Sequence, residues 1–193
     1  MALDLTVRIA TFDDAPQLAP ALARAFHDDP VARYALPSDR RRPKQLARFY
    51  TERLRTLVED ELVFTDEDRR GAALWAAPDR WRTPLPELLR TRVFTRTTPL
   101  FLLGGARVEH RHPRKLHYYL AILGVEPSAQ GSGLGSQLMK PMLDRCDREH
   151  VPAYLESSKA ENVPFYERHG FQVTEEVDLL WGPKMWLMWR SPR

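Results

Sequence analysis

Residues 130 to 136, Gln-Gly-Ser-Gly-Leu-Gly-Ser, place glycine at every second position: Gly131, Gly133 and Gly135. They follow an apolar, aromatic and β-branched stretch, Tyr118 to Val125, that stops at Glu126-Pro127. They lead into an amphipathic run carrying Leu134, Leu138, Met142 and Leu143. A strand, a glycine turn and a helix start make an anion site, because backbone N–H groups converge there and glycine lets a phosphate approach without a Cβ in the way. The pattern points to a cofactor pyrophosphate. Downstream, Glu156 and Tyr166 offer a carboxylate and a phenol, groups that can accept or donate a proton. His110, His112 and His117 lack metal-ligand spacing on one helix and no cysteine joins them, so no metal is expected.

Three glycines do not name the cofactor. A P-loop needs Lys-Ser or Lys-Thr after its last glycine, and Gly135 is followed by Ser136-Gln137. A dinucleotide fingerprint needs the glycine turn directly after its strand. Here Glu126 to Gln130 intervene, and residues 137 to 193 are too few for the strands that must follow; that reading stays as runner-up. Gln130-Gly131-Ser132-Gly133-Leu134-Gly135 resembles instead the Gln/Arg-x-x-Gly-x-Gly/Ala signature of the GNAT acetyltransferases. Asn162-Val163-Pro164-Phe165-Tyr166-Glu167-Arg168-His169-Gly170-Phe171 resembles the second motif of the same family, in its expected place. Likeness to the puromycin N-acetyltransferase branch extends to Arg8-Ile9-Ala10-Thr11, Asp13-Asp14, Ala25-Phe26, Val151 to Glu156 and Gly182-Pro183-Lys184-Met185-Trp186. Residues 79 to 112 match least.

The resemblance implies an α/β, GNAT-like fold, acetyl-CoA as cofactor, and direct transfer of acetyl to an amine within a ternary complex. It assigns the pyrophosphate to Gln130, Gly131, Ser132, Gly133, Leu134, Gly135 and Ser136. Polarisation of the thioester carbonyl falls to backbone N–H around Leu123, Gly124 and Val125, where the sheet splays. Tyr166 becomes the acid that protonates the departing thiolate, and Asn162 a helix cap that also touches the pantetheine arm. No glutamate stands on the central strand, so the family's usual base does not carry over. Glu156, at the end of the next strand, is the best carboxylate for that role, with His117 acting through a water as the alternative. Asp28, Asp29 and Tyr34 lie where such enzymes contact the acceptor, and Trp75, Tyr118 and Tyr119 offer an aromatic wall. The expected acceptor is a small-molecule primary amine, a puromycin-like aminonucleoside first. Alternatives are a protein lysine or N-terminus, or a CoA-binding regulator without catalysis.

These groups need elements to hold them. Leu5 to Ala10 alternates as a first strand. Asp13 or Asp14 is placed to cap a helix through Ala15, Leu18, Leu22, Ala25 and Phe26, which His27-Asp28-Asp29-Pro30 ends. A second helix spans about 43 to 58, and 61 to 65 with 72 to 77 form a hairpin. Residues 79 to 112 yield only a helix at Leu85 to Phe94. Beyond the glycines come a helix from about Gly133 to Glu149, bent at Pro141, and a strand from Ala153 to Ser157. A helix capped by Asn162 and closed by Gly170 follows, then strands at Gln172 to Leu179 and Met185 to Arg190.

The chain has 193 residues, 43% hydrophobic and 28% charged, which suits one soluble domain spanning 1–193. A net charge of +3 with a pI near 9.2 reflects surplus arginine. Arg40-Arg41-Arg42 has no interleaved aromatics and reads as a solvated face, not a nucleic-acid surface. Cys146 is the single cysteine, which excludes an internal disulfide. No apolar run has signal or spanning length, so neither membrane association nor export is expected, and the cytoplasm is the expected location. Monomer and homodimer are not distinguished.

Overall fold

A computed structural model describes residues 6–83, 85–91 and 95–193. Its centre is a seven-stranded mixed sheet in the order β1-β2-β3-β4-β5-β7-β6. The strands are β1 (Val7–Ile9), β2 (Val63–Asp66), β3 (Gly71–Ala76), β4 (Tyr118–Val125), β5 (Ala153–Ser157), β6 (Gln172–Asp178) and β7 (Lys184–Arg190). Every neighbouring pair is antiparallel except β4 with β5, which is parallel. The helices are α1 (Ala15–Ala25), α2 (Pro30–Ala35), α3 (Arg42–Leu57), α4 (Leu85–Thr91), α5 (Thr98–Arg111), α6 (Leu134–Glu149) and α7 (Val163–Arg168). This is the α/β architecture expected from the sequence.

Alternation along β3 and β4 divides the core into layers, because successive side chains of a strand point to opposite faces. Leu74, Ala72, Ala76 and Ile122 meet Leu18, Leu22, Leu46 and Leu54 of α1 and α3. Ala73, Trp75 and Leu120 meet Leu134, Leu138, Met139 and Met142 of α6 on the other face. Val108 of α5 covers the far half of the sheet against Tyr154, Val177 and Leu187. At the end of β7, Arg190 forms a bidentate pair with Asp147 of α6, at 2.7 and 2.8 Å, and donates to the His169 carbonyl.

Two elements differ from the sequence expectation. After α1 breaks, the chain starts a new helix, α2, because Asp29 caps it: Oδ1 accepts from Val31 N at 2.9 Å and Ala32 N at 3.0 Å, and Pro30 occupies a first-turn position that needs no donor. Residues 98 to 111 form α5 despite two adjacent glycines. A Cβ on Gly104 would lie 3.1 Å from Leu179, so glycine there permits close packing at the cost of helix propensity. Helix α6 continues through Pro141. Of the expected helix at 85 to 94, Leu85–Thr91 is helical, and 92 to 94 lie outside the described residues, as does Leu5 of the first strand.

Asp14 does not cap α1 with its side chain. Its carboxylate, 3% exposed, takes Arg8 at 2.8 Å on both oxygens, Arg69 at 2.6 Å and the Thr11 N–H at 2.9 Å. The Arg8 hydrogen bond, opposed by burial, holds the carboxyl far below its usual range. The folded state therefore binds fewer protons at this site than the unfolded chain. Its contribution is complete above pH ~5 and is lost as the pH falls below the unfolded value of ~4. Asp14→Asn should cost about 2 kcal/mol in urea unfolding at pH 7, allowing for the partial exposure of both arginines, and the deficit should shrink toward pH 3.

Candidate active site

The parallel ladder between β4 and β5 is short. Tyr118 pairs with Ala153, Tyr119 with Tyr154 and Leu120 with Leu155, and there it ends. Beyond that point β5 follows β7, with Glu156 opposite Leu187 and Ser157 opposite Trp186, while β4 follows β3 through Leu123, Gly124 and Val125. One extra residue, Ala121, bulges where Leu74 pairs with Ile122 and Trp75 with Leu120. The two strands leave a wedge whose edges carry main-chain N–H and C=O groups without ladder partners. Gln130 Nε2 donates to the Val125 carbonyl at 3.0 Å, tying the glycine turn to the strand end. Arg24 of α1 holds Glu126 through both carboxylate oxygens, at 2.6 and 2.7 Å.

The turn has the conformation that its glycines allow. Gly131 and Gly133 have φ of +77° and +88°, in the left-handed region, and the space where a Cβ would stand is open at both. Ser132 Oγ closes the turn on the Ala129 carbonyl at 2.7 Å. The first turn of α6 then turns its backbone N–H groups toward the concavity, the Leu134 N–H also reaching Ser132 Oγ at 3.4 Å and the Ser136 N–H the Gly133 carbonyl at 3.1 Å. Gly135 and Ser136 lie on that turn; the Leu134 side chain is buried in the core, so Leu134 offers the concavity only its backbone. A positively polarised cradle with no Cβ to block it fits a pyrophosphate. Gly124 serves packing instead: a Cβ there would stand 2.7 Å from both Leu22 of α1 and Phe26 just after it.

Tyr166 of α7 is 9% exposed, its ring against Phe165 and Phe171. Burial, and then the charge of Asp29, raise its phenol above the ordinary value, so it is fully protonated at neutral pH. Asn162 precedes α7 in helical conformation, closing a 3-10 turn, and its side chain makes no cap. That corrects the capping expectation; Gly170, with φ of +89°, ends the segment as anticipated. Asp29 is committed to the α2 amides and, through Oδ2, to the hydroxyl of Ser158. Tyr34 donates to the Leu180 carbonyl. Of the three residues expected to meet an acceptor there, only Asp28 is exposed.

Glu156 sits where the ladder has just ended, among aromatic groups. Tyr119 donates to Oε2 at 3.1 Å and Tyr154 to Oε1 at 3.2 Å. His112 Nδ1 lies 3.5 Å from Oε1, and its ring stacks on Trp81 with centroids 3.6 Å apart. His112 Nε2 meets His117 Nε2 at 2.9 Å. Burial and then Glu156 raise the Tyr119 phenol well above its usual value. Trp75 is not part of this group: it is fully buried under α6, on the opposite face of the sheet. Tyr118 points that way too, donating to Glu149 at 2.6 Å. Trp81, His112 and Tyr154 were missed from sequence; the first two belong to the 79 to 112 stretch, where no periodic signal marks them. Among the described residues no cluster of His, Cys, Asp or Glu is arranged to hold a metal, and no helix is long and apolar enough to cross a membrane.

A family model for the GNAT acetyltransferase domain matches residues 93–180. An uncharacterised N-acetyltransferase of Schizosaccharomyces pombe is 31% identical over 186 residues, covering 86% of this chain and 74% of that protein. Among solved structures, the fold resembles a Corynebacterium glutamicum protein described as histone acetyltransferase HPA2 and related acetyltransferase, with TM-score 0.67, 24% identity and coverage of 97% and 96% of the two chains. It also resembles a PaiA N-acetyltransferase of Thermoplasma acidophilum solved with coenzyme A, with TM-score 0.61, 12% identity and coverage of 96% and 98%.

The glycines separate by substitution. Gly124→Ala should lose about 1–3 kcal/mol in urea unfolding, through overpacking against α1. Gly135→Ala meets Phe165 at 3.4 Å and Val125 at 3.9 Å, ordinary contacts within a helix, so stability should hold or rise by up to about 1 kcal/mol. Calorimetric titration should nevertheless show weaker coenzyme A binding for Gly135→Ala, because the new methyl enters the cradle.

Proposed function

The chain belongs to the GNAT acetyltransferase family, and from that premise we propose that it acetylates the primary amine of a small, aromatic or amphipathic molecule. It is an N-acetyltransferase that uses acetyl-CoA. The thioester supplies the activated acetyl group; the chain supplies its alignment and the proton transfers. Gln130 to Ser136 hold the pyrophosphate, and the wedge between β4 and β5 receives the pantetheine arm beside Asn162. Backbone N–H around Leu123, Gly124 and Val125 polarises the carbonyl. Glu156 takes the ammonium proton, the freed amine forms the C–N bond as the C–S bond breaks, and Tyr166 gives its proton to the thiolate. The second proton that the nitrogen sheds as the amide forms returns the Tyr166 phenolate to phenol through solvent, and Glu156 releases its own to solvent. One observation carries the reading: the β4–β5 ladder stops short beside a left-handed glycine turn that opens the first turn of α6.

The acceptor side follows from the surroundings of Glu156. A single carboxylate, its side chain 15% exposed and framed by Tyr119, Tyr154 and Trp81-stacked His112, suits one ammonium on a compact aromatic body better than an extended peptide. Puromycin, whose aminonucleoside carries an aromatic amino acid with a free amine, is the leading specific candidate. The test is thiol release from acetyl-CoA by the purified protein with puromycin, with tyramine and with a lysine peptide, each product identified by mass. Acetylated small amine is expected. Product only from the peptide would move the assignment to protein acetylation, and CoA binding without turnover on any amine would sink the catalytic reading. With an active acceptor, Tyr166→Phe should lower kcat by about a hundredfold and leave acetyl-CoA affinity unchanged. Because burial raises its pKa, the alkaline limb belonging to Tyr166 should lie above pH ~10.

A further inference from the structure

Behind Glu156 stand two buried imidazoles, 7% and 4% exposed, whose hydrogen bonds admit few proton arrangements. His117 Nδ1 faces the Lys115 carbonyl at 2.6 Å, and a carbonyl only accepts, so that nitrogen carries a hydrogen. A single hydrogen must lie between the two Nε2 atoms 2.9 Å apart. If it belongs to His112, a neutral His112 has a bare Nδ1 lone pair 3.5 Å from Glu156 Oε1. If it belongs to His117, that ring already carries both its hydrogens and is an imidazolium, while His112 turns an N–H toward Glu156. A carboxylate 3.5 Å from His112 Nδ1 favours a hydrogen on that nitrogen, and the arrangements that put one there contain one imidazolium.

We propose that His112 and His117 form a shared-proton pair that carries one positive charge behind Glu156 and keeps that residue in its base form, His112 acting as the positioning residue and His117 as its partner. Moving one hydrogen across the Nε2···Nε2 contact passes the charge between the rings without changing the proton count. Burial lowers the His117 pKa against the pull of the Lys115 carbonyl. His112 is the ring whose Nδ1 lies 3.5 Å from the carboxylate, so the geometry puts the charge there. The neighbours are consistent with this. Trp81 covers one face of His112, and a cation against an indole face is favourable. Trp189 of β7 meets His117 edge-on at 5.6 Å. Asp79 is the further carboxylate that acts on His117, and Arg53 of α3 acts on Tyr119. Tyr119 and Tyr154 complete the donors to Glu156. A second proton on the pair would set two N–H groups head to head, so the pair holds one charge and no more.

The first test is independent of turnover. Nitrogen-15 spectra of the histidines at pH 7, with His112→Phe and His117→Phe for assignment, should show one imidazolium charge on this pair and an Nδ1 hydrogen on His117. Two neutral rings would overturn the proposal. The second test rests on the acetyltransferase reading and uses the amine found to be acetylated. His112→Phe keeps the stacking on Trp81 but cannot carry charge. It should move the acid limb of kcat/KM to higher pH and lower kcat by about tenfold, less than loss of the base itself, with acetyl-CoA KM unchanged. His112→Gln, which restores a donor without charge, should not restore the acid limb; restoration, or an unshifted limb in His112→Phe, would reduce His112 to packing. A charged pair in a protein with no turnover would defeat the acetylation reading and leave the proton assignment in place.

Discussion

The arrangement depends on a ladder that stops. Parallel strands normally continue side by side, because each buried N–H and C=O needs a partner. Here β4 and β5 part after Leu155, each held on its outer side by an antiparallel neighbour, β3 or β7. The outer pairings make the parting stable, and the bulge at Ala121 turns β4 away. The main-chain groups left along the wedge are a fixed row of polar contacts that needs no side chain to create it. An extended amide-bearing ligand can satisfy them as a strand would.

Around that opening, buried polar groups are arranged in complementary sets. Asp29 joins α2 to Ser158, just past the end of β5, and its charge reaches Tyr166. Glu156 gathers two phenols and an imidazole. In both places a carboxylate is held by oriented donors rather than by solvent, and such preorganisation lowers the reorganisation needed when charge moves. The proposed donor end, the glycine turn and α7, and the proposed acceptor end, the aromatic group around Glu156, lie on opposite faces of β5.

The parts that were legible in the sequence are those set by local chemistry. Gly131, Gly133 and Gly170 take φ of +77° to +89°, beyond the +51° to +65° that Glu61, Arg69, Asp79, His150 and Trp181 adopt, and glycine takes such angles without strain. The periodic runs of α1, α3 and α6 announced themselves because one face is apolar. The acceptor side was not legible, because its contacts join residues far apart in the chain: Tyr119 to Glu156, His112 to Glu156, Trp81 to His112. Helix α5 was hidden by Gly104, which is there to let Leu179 approach, a tertiary reason that overrides propensity. Trp75 was assigned to the aromatic wall by type alone; the β3–β4 register turns it to the other face.

Part of the proposed acceptor end comes from one connection, and the rest from β4 and β5. Trp81 and His112 both lie in the connection between β3 and β4, whereas the glycine turn, α6 and α7 all follow β4. The two halves meet at the β4–β5 wedge. Lineages could therefore exchange acceptors by rewriting that connection while the donor half stayed under unchanged selection. A scaffold divided in this way can change its specificity in one replaceable piece.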